Sequence, residues 1–256
     1  MEETDPIKFS IITVCFNSEK SILETLKSVN NQSWNDIEHI IIDGDSSDKT
    51  LEIIKTHGHR VTKLVSEKDR GIYNAMNKGL ELATGDIVGF LNSDDFFCNS
   101  EVISEYADNF KNNPQFDAMY GDISYIQESV RNGIRILRNW ESGPITKKGF
   151  SKGWIPPHPS FYVKKEVFNQ HGNFREDLFF ASDFDLMCRF ITNGVKTKYL
   201  PGRKVFMRAG GITNKSWINI IKGNLEIIRS LKRNNIRIDL RFFIFKLFSR
   251  LNQYIN

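Results

Sequence analysis

The hydrophobic positions of the first hundred residues fall into short uninterrupted runs, separated by segments of helical periodicity. The apolar runs Phe9–Cys15 and Ile87–Leu91 predict buried strands, and two further strands are predicted over His39–Asp43 and Val61–Val65. Between the first two, apolar residues recur at helical spacing at Ile22, Leu26 and Val29, with Ser18 as the predicted N-cap. Strand and helix alternate, and this order predicts an α/β fold with a mostly parallel sheet and right-handed crossovers.

The second half of the chain has a less regular pattern. It predicts helices over 99–110 and from Ala181 onward, and strands over 118–126, 134–140, 161–163 and 196–207. The first two of these strands form a predicted hairpin around Asn132-Gly133, and the last is interrupted at Pro201-Gly202. The segment 142–157 is rich in Gly, Pro and Lys and is predicted to be a binding loop or lid.

Carboxylates follow three of the predicted strands, at Asp43, at Asp69 and at the pair Asp94-Asp95. The carboxyl ends of parallel strands meet at one edge of an open sheet, where α/β proteins bind ligands. Two adjacent carboxylates repel each other unless water or a cation offsets their charge, and oxygen ligands suit Mg²⁺ or Mn²⁺. The alternative interpretation of Asn92-Ser93-Asp94-Asp95 is a polar turn, because these residue types favour turns.

The composition is that of an ordinary soluble globular protein, with 40% hydrophobic and 26% charged residues. A chain of 256 residues fits one large domain or two closely packed ones. The three scattered cysteines predict neither a disulfide framework nor a zinc site, and they favour a reducing compartment. The acidic N-terminus has no apolar run, and no stretch of about 20 apolar residues occurs, so we expect a cytoplasmic protein.

The net charge of +4 is unevenly distributed along the chain. Residues 215–256 contain nine Lys/Arg and two acidic residues, which leaves the first 214 residues negative. We therefore do not expect the main body to bind nucleic acid. In the basic tail, apolar residues repeat at helical spacing from Leu240 to Ile255, which predicts an amphipathic helix on the inner face of the membrane. The alternatives are packing on the catalytic domain or in a homodimer.

Two nucleotide-binding folds are disfavoured by the turn after the first strand. The segment Thr13–Glu19 contains no glycine, so neither the dinucleotide fingerprint GxGxxG nor the P-loop GxxxxGK[ST] is present. A nucleotidyltransferase of related topology would normally have a Gly-rich, Arg-bearing loop at this position. The sequence therefore favours a different α/β nucleotide site.

Four segments together resemble family 2 glycosyltransferases of GT-A fold: Thr13–Asn17, Ile42–Thr50, Ser66–Gly79 and Leu91–Asp95. They occur in the family's order and spacing over about residues 8–208, and the third is similar to bacterial enzymes that assemble exopolysaccharide, capsule or O-antigen repeats. The resemblance implies a Rossmann-like, mostly parallel sheet flanked by helices. Its nucleotide-sugar-binding half would be 1–97, its acceptor-binding and catalytic half 98–208, and 209–256 a helical tail.

The resemblance also implies roles for individual residues. Asp43 matches the aspartate that contacts the nucleotide base, usually uracil, and Asp69 lies where the family holds base and ribose. Asp95 matches the metal-binding carboxylate of the DxD-type motif, with Asp94 beside it on ribose or metal-bound water. Asp183 matches the catalytic aspartate, and His158 lies where relatives have a histidine near the diphosphate or metal. The other candidates for binding the nucleotide sugar are Thr13, Phe16, Arg70, Asn77 and Lys78.

Several of these candidates have structural interpretations as well. Asp43 and Asp183 could cap the helices that follow them, and His158 could simply stiffen a proline-rich loop. Asn77 and Lys78 could be surface residues of an amphipathic helix, and Arg70 could be solvated. Under each of these interpretations, the residue concerned would not take part in binding or catalysis.

Two positions depart from the family pattern. Asn92 replaces an aspartate, which puts metal ligation from that position in doubt, and Ser182 replaces the glutamate before the catalytic aspartate. The QxxRW motif of processive synthases is absent, which favours transfer of one sugar per acceptor.

The sequence leads to the hypothesis of a metal-dependent inverting glycosyltransferase in cell-surface polysaccharide biosynthesis. It would move one sugar from a nucleotide diphosphate sugar, UDP-linked, to a hydroxyl of a glycan or lipid-linked glycan. Mn²⁺ or Mg²⁺ held by Asp95 would stabilise the departing diphosphate, and Asp183 would accept the acceptor proton. The alternatives are a nucleotidyltransferase and a catalytically degenerate sugar-nucleotide-binding protein, and a retaining reaction is left open.

Overall fold

The computed structural model describes residues 6–129, 133–145, 147–151, 153–209 and 217–238. The strands are β1 (Phe9–Cys15), β2 (Ile37–Asp43), β3 (Val61–Ser66), β4 (Ile87–Phe90), β5 (Asp95–Phe97), β6 (Ala118–Ser129), β7 (Gly133–Trp140), β8 (Tyr162–Lys164) and β9 (Thr197–Arg208). The helices are α1 (Ile22–Asn30), α2 (Thr50–His57), α3 (Ile72–Leu82), α4 (Val102–Asn112), α5 (Lys147–Ser151), α6 (Lys165–His171), α7 (Ser182–Thr192) and α8 (Trp217–Arg233). A short 3₁₀ helix spans His158–Ser160.

The strands form one sheet in the order β3-β2-β1-β4-β8-β6-β9-β5, with β7 paired to β6. The first four strands in this order are parallel, and α1, α2 and α3 connect them. β8 is antiparallel to β4 and β6, whereas β6 and β9 are parallel. The predicted α/β fold is confirmed, with a fully parallel half up to β4 and a mixed half beyond it.

β1, β2 and β4 are buried along their whole length, which explains why they are mostly apolar in the sequence, whereas the edge strand β3 is only partly buried. On β2, Ile40 and Ile42 pack in one cluster with Met76 of α3. Ile41, on the opposite face of the same strand, packs with Leu26 of α1. Because successive side chains of a strand point to opposite faces of the sheet, β2 contributes to two hydrophobic cores, one on each side.

Two predicted boundaries are wrong for local reasons, and one helix was missed. α1 begins at Ile22 and not directly after Ser18, because the Ser18 carbonyl accepts the N–H groups of Ser21 and Ile22 in a turn of its own. β9 is one strand from Thr197 to Arg208, and Pro201-Gly202 accompanies a shift of register against β6 instead of an interruption. α6, which follows β8 directly, was not predicted from the sequence.

The C-terminal part is described over 217–238. α8 packs against α7, and its residues Ile227 and Leu231 join the main core. The amphipathic pattern from Leu240 to Ile255 lies outside the described residues, as does the middle of the β6–β7 hairpin, whose flanking strands pair with Ser129 opposite Gly133. In the described part of the chain, no helix combines the length and apolar character needed to cross a membrane.

Candidate active site

The loops that follow the parallel strands lie along one edge of the sheet and are joined by hydrogen bonds. The Ser18 N–H donates to Thr50 Oγ1 (2.7 Å), and the hydroxyls of Ser18 and Ser93 are 2.8 Å apart. Asn17, at φ +48°, accepts the Ser47 N–H through its side-chain oxygen (3.0 Å). The loops after β1, β2 and β4 therefore form a single surface.

An aromatic ring and a carboxylate converge at one end of this surface. Phe16 is 62% exposed. A Cβ atom added to Gly44 would lie 2.7 Å from Asp69 Oδ2 and 3.4 Å from the Phe16 ring, so glycine leaves room for both. Asp69 Oδ1 accepts the Gly71 N–H (2.8 Å), and Oδ2 takes no hydrogen bond from the described residues. An exposed ring beside a free acceptor oxygen is suited to a planar base with an N–H group.

Asp43 and Thr13 lie beneath this surface and are completely buried. The Asp43 carboxylate accepts hydrogen bonds from the Ser46 N–H (3.0 Å), the Ser46 hydroxyl (2.5 Å) and the Ser66 hydroxyl (2.7 Å). Thr13 Oγ1 is 2.9 Å from His39 Nε2. Asp43 thus closes the turn after β2 and ties it to the end of β3, and it does not cap α2.

The polar residues of α3 hold neighbouring loops. Asn77 donates to the Phe174 carbonyl (2.9 Å) and accepts the Phe174 N–H (3.0 Å), while Lys78 forms an ion pair with Glu67 (2.7 Å). Arg70, whose side chain is 80% exposed, pairs with Glu176 (2.8 Å). In this structure, Asn77 and Lys78 fix the loops around the surface, and Arg70 extends over its rim.

Glu176 joins α3 to the segment that precedes α7. Its Oε1 accepts hydrogen bonds from Asn74 (3.1 Å) and Asn77 (3.2 Å), and its Oε2 pairs with Arg70. The bonds from Asn74 and Asn77, with a smaller contribution from Arg70, lower the pKa of Glu176 although burial acts in the opposite direction. A permanently charged Glu176 therefore holds the two elements together.

The turn between β4 and β5 contains buried side-chain oxygen atoms that have no hydrogen-bond partner among the described residues. Asp95 is 1% exposed, and neither its Oδ1 nor Asn92 Oδ1 has a hydrogen-bond partner in the described part of the chain. Burial raises the pKa of Asp94 and, together with the charge of Asp94, raises that of Asp95 well above its usual value. Arg208, at the end of β9, donates to the Asp94 carbonyl (3.1 Å). The turn is therefore a place where bound positive charge would relieve two desolvated carboxyl groups.

The donor set of this turn fits a hard divalent cation. Two carboxylates and an amide oxygen within four residues offer the oxygen ligands that Mg²⁺ and Mn²⁺ take. Among the described residues there is no cluster of three or more His, Cys, Asp and Glu side chains that could hold a metal by themselves. The remaining positions of such an ion would be filled by water or substrate, as is usual for Mg²⁺.

His158 is on the other side of the β4 end, close to α7. Its ring stacks on Phe90, the last residue of β4 (5.4 Å, 25°), and meets Phe174 edge-on (5.6 Å). Burial lowers the pKa of His158, and the charge of nearby Asp183 partly offsets this effect. The ring is therefore neutral at neutral pH, and its charged neighbour is Asp183.

Asp183 lies in the first turn of α7 with one oxygen fixed. Oδ1 accepts the Tyr73 hydroxyl (3.1 Å) and the Phe184 N–H (2.8 Å), whereas Oδ2 takes no hydrogen bond from the described residues. The N-cap of α7 is Ala181, so Asp183 does not cap the helix. Burial and the charge of Asp183 raise the pKa of Tyr73 well above its usual value, which keeps its hydroxyl protonated as a donor. Asp183 is thus an oriented carboxylate with a free oxygen, as a general base requires.

Sequence reasoning assigned no role to Tyr73, Glu176 or Arg208. Tyr73 belongs to the segment that resembles the family motif, and that position is the one signal that could have identified it. Glu176 and Arg208 are separated from their partners by about a hundred residues along the chain, and no local pattern indicates them.

Solved structures establish the fold class. Staphylococcus aureus TarS superposes with a TM-score of 0.70 at 20% identity over 93% of this chain and 41% of TarS, so the chain spans less than half of that protein. TarS 1–349 in complex with UDP-GlcNAc superposes with a TM-score of 0.68 at 18% identity, over 93% of this chain and 69% of that chain. The mannosyltransferase PcManGT from Pyrobaculum calidifontis, in complex with GDP-Man and Mn²⁺, superposes with a TM-score of 0.63 at 19% identity, over 88% of this chain and 65% of that chain. These likenesses show that the chain has the GT-A fold, as the sequence predicted.

Sequence comparison assigns the family. The family model of glycosyl transferase family 2 matches residues 10–172, and the chain belongs to this family. An uncharacterized glycosyltransferase of Mycobacterium tuberculosis (strain CDC 1551) is 28% identical over 185 residues, 70% of this chain and 67% of the relative. A PGL/p-HBAD biosynthesis glycosyltransferase of Mycobacterium bovis (strain BCG) is 26% identical over 197 residues, which are 75% of this chain and 73% of the relative.

Proposed function

We propose that the protein transfers one sugar from a nucleoside diphosphate sugar to a hydroxyl of a glycan or lipid-linked glycan, with inversion at the anomeric carbon. The observation that carries the proposal is the free oxygen of Asp183 beside His158, which stacks on the last residue of β4. The turn with Asp94 and Asp95 begins immediately after that strand. Asp183 is thus linked through His158 and Phe90 to the strand that leads into the turn assigned to the diphosphate.

The donor is proposed to bind with its base between Phe16 and Asp69. The Phe16 ring offers a stacking face, and Asp69 Oδ2 can accept an N–H of uracil or guanine. Structural neighbours carry UDP-GlcNAc in TarS and GDP-Man in PcManGT, so both bases occur on this fold. We name UDP as the first candidate because of the similarity of the Asp43 segment to uracil-binding relatives, with Asp43 supporting the base site from below.

We assign Mn²⁺ or Mg²⁺ to the turn after β4. Asp94, which is more exposed than Asp95, and the unpartnered Oδ1 of Asp95 would hold the ion, with His158 as the candidate nitrogen ligand. When bound, the ion supplies positive charge to the departing diphosphate. Arg208 adds a fixed positive charge on the protein side of the same turn.

Asp183 is assigned the role of general base. Tyr73 and the Phe184 N–H hold Oδ1, so Oδ2 faces the acceptor and accepts its hydroxyl proton as the oxygen attacks. The new bond forms at the anomeric carbon while the bond to the diphosphate oxygen breaks, and the nucleoside diphosphate leaves with its electron pair. Attack opposite the leaving group inverts the configuration of that carbon.

The acceptor and the location are proposals of the same kind. Similarity to capsule and O-antigen assembly enzymes supports cell-surface polysaccharide synthesis, with the protein in the cytoplasm at the inner membrane face. The basic pattern from Leu240 to Ile255 supports peripheral contact with lipid, and pairing of two copies through it is the alternative.

The test is a comparison of Asp183→Asn with the exposed α4 variant Asp108→Asn. We expect Asp183→Asn to lower the rate of nucleoside diphosphate release by about 10²–10⁴-fold, while calorimetry gives an unchanged affinity for the donor with Mn²⁺. Asp108→Asn should retain both. Equal loss of binding and turnover in Asp183→Asn would contradict the base assignment, and release of inorganic diphosphate would indicate a nucleotidyltransferase.

A further inference from the structure

α8 has an outward stripe with three large aliphatic residues in its N-terminal half, where Lys222 accompanies them, and two basic residues in its C-terminal half. Ile218, Ile221 and Leu225 are 63%, 59% and 60% exposed. Spacings of three and four residues place the exposed Lys222, Arg229 and Lys232 on the same side of the helix. We call these six residues the outward stripe. Three large aliphatic side chains together in water mark an interaction surface.

The outward stripe has no negative charge. Glu226, the one acidic residue of α8, borders the stripe next to Lys222 and Arg229, and its carboxylate accepts the N–H groups of Phe179 (3.0 Å), Phe180 (2.7 Å) and Ala181 (3.0 Å). The surface thus combines exposed apolar side chains with an excess of positive charge.

We infer that the outward stripe docks on an anionic lipid bilayer. Its aliphatic side chains can enter the boundary between headgroups and acyl chains, and its basic side chains can meet anionic headgroups. The charges disfavour a second copy of the chain, because a two-fold contact would bring two stripes of three basic residues together, while the bordering Glu226 is already engaged by three N–H groups. Residues 239–256 are disfavoured as a cover for the same reason, since they contain Arg241, Lys246 and Arg250 and the single acid Asp239.

This docking is independent of the donor and of the reaction. It has a consequence for them, because α8 is hydrogen-bonded to the segment that leads directly into α7. Asn234, just after α8, also donates to Asp185 (3.3 Å). A bilayer on the outward stripe would therefore lie near the helix that carries Asp183, which suits an acceptor anchored in lipid.

The test is co-sedimentation of the full chain with vesicles of phosphatidylcholine alone or with about a third phosphatidylglycerol. We expect binding to the anionic vesicles only, decreasing as salt rises from about 0.1 to 0.5 M. The triple variant Ile218→Ser/Ile221→Ser/Leu225→Ser should bind at least about tenfold more weakly. As a matched control, Ile134→Ser/Ile136→Ser changes two exposed isoleucines of β7 (50% and 43%) and should bind like the parent chain.

Three outcomes would overturn the inference. Equal binding by the triple variant and the parent chain would place the lipid contact elsewhere. A parent dimer that becomes a monomer in the triple variant, measured by light scattering without lipid, would assign the stripe to a second copy. A melting temperature lowered by several degrees in the triple variant would show that the chain's own residues cover the stripe.

A separate observation concerns Glu226 itself. Ala181, the N-cap of α7, has no side-chain oxygen to accept an N–H group, and Glu226 accepts three consecutive N–H groups just before the helix. The carboxylate also places negative charge near a helix N-terminus, where it is favourable. We propose that Glu226 is a positioning residue that fixes the segment from which Asp183 projects, an inference that rests on the proposed function.

The test is Glu226→Gln, in which an NH₂ group replaces one acceptor oxygen. We expect kcat to fall about tenfold with the donor KM unchanged, because the donor surface belongs to other loops. Asp177→Asn is the matched control, since it breaks the exposed Arg233–Asp177 pair (2.7 Å) between the same elements and leaves the three N–H bonds intact. Unchanged kcat in Glu226→Gln, or an equal fall in Asp177→Asn, would refute the role. If Asp183→Asn is also fully active, the proposed function itself is refuted.

Discussion

Replacing the buried Glu38 with glutamine tests how the edge of the sheet opposite the active site is held. Glu38, on β2, is 3% exposed and accepts hydrogen bonds from the Ser10 hydroxyl, from the N–H and hydroxyl of Thr84 and from the Gly85 N–H. Lys8 (3.5 Å) is a further positive neighbour. The carboxylate thus ties β1 and β2 to the turn between α3 and β4.

The magnitude follows from the pKa of Glu38. Burial alone would raise it, but the hydrogen bonds from Ser10, Thr84 and Gly85 outweigh burial and lower the pKa from 4.5 to about 2. At roughly 1.4 kcal/mol per pKa unit, the charged form stabilises the fold by about 3 kcal/mol. Because the folded pKa is depressed, this stabilisation is complete above the unfolded pKa and is lost as the pH falls towards 2.

The assay is urea unfolding of the parent chain and Glu38→Gln at several pH values. We expect the variant to be less stable by about 3 kcal/mol at pH 7 and by roughly half of that at pH 3. His39, whose pKa burial lowers to about 3, titrates in the same range but is common to both proteins and cancels in the difference. Glu24→Gln, at an exposed i,i+3 pair, should change stability by less than about 0.5 kcal/mol. A Glu38→Gln difference that is equal at pH 7 and pH 3 would refute the reasoning.

Three further predictions concern the site and its support. Phe16→Ala should weaken donor binding by about 5- to 150-fold, equivalent to about 1–3 kcal/mol of base stacking, with an unchanged melting temperature because the ring is 62% exposed; calorimetry giving the parent affinity would place the base elsewhere. Asp95→Asn should be at least as stable as the parent chain in chelator, because it removes a buried carboxylate with an unpartnered oxygen, and it should lose the thermal shift caused by Mn²⁺; a retained shift would move the ion away from this residue. Gly89→Ala would push a methyl group into the buried Tyr162 ring and should cost about 1–3 kcal/mol in urea unfolding, and an unchanged midpoint would show that the ring can move aside.

The strands β1, β2 and β4 could be predicted from the sequence because burial on both faces makes them mostly apolar. β1 has the predicted bounds, since Phe9–Cys15 is buried at every position. The start of α1 could not be predicted, because the Ser18 side chain bonds across the edge to Ser93 instead of capping the helix. Sequence patterns report local propensity, and such a contact between loops 75 residues apart overrides it.

The candidate site, too, could be predicted from the sequence only in part. The family motifs indicated Phe16, Asp69 and Asp183, and each of these side chains has an accessible ring face or a carboxylate oxygen without a partner among the described residues. The motifs do not reveal that Asp43 is fully enclosed by hydroxyl and N–H donors of the chain itself. Charge type can be predicted from a motif, whereas exposure depends on the packing of elements far away in the sequence.

The pairing of β5 with β9 has a consequence for how the protein matures on the ribosome. β5 begins at Asp95, and its antiparallel partner residues are 205–207, with Arg208 directly after them. Synthesis therefore completes the β4–β5 turn more than a hundred residues before the strand that holds it has been made. We expect nascent chains that lack β9 to fold the parallel strands and yet bind no donor, so that donor binding appears only after β9 has been synthesised.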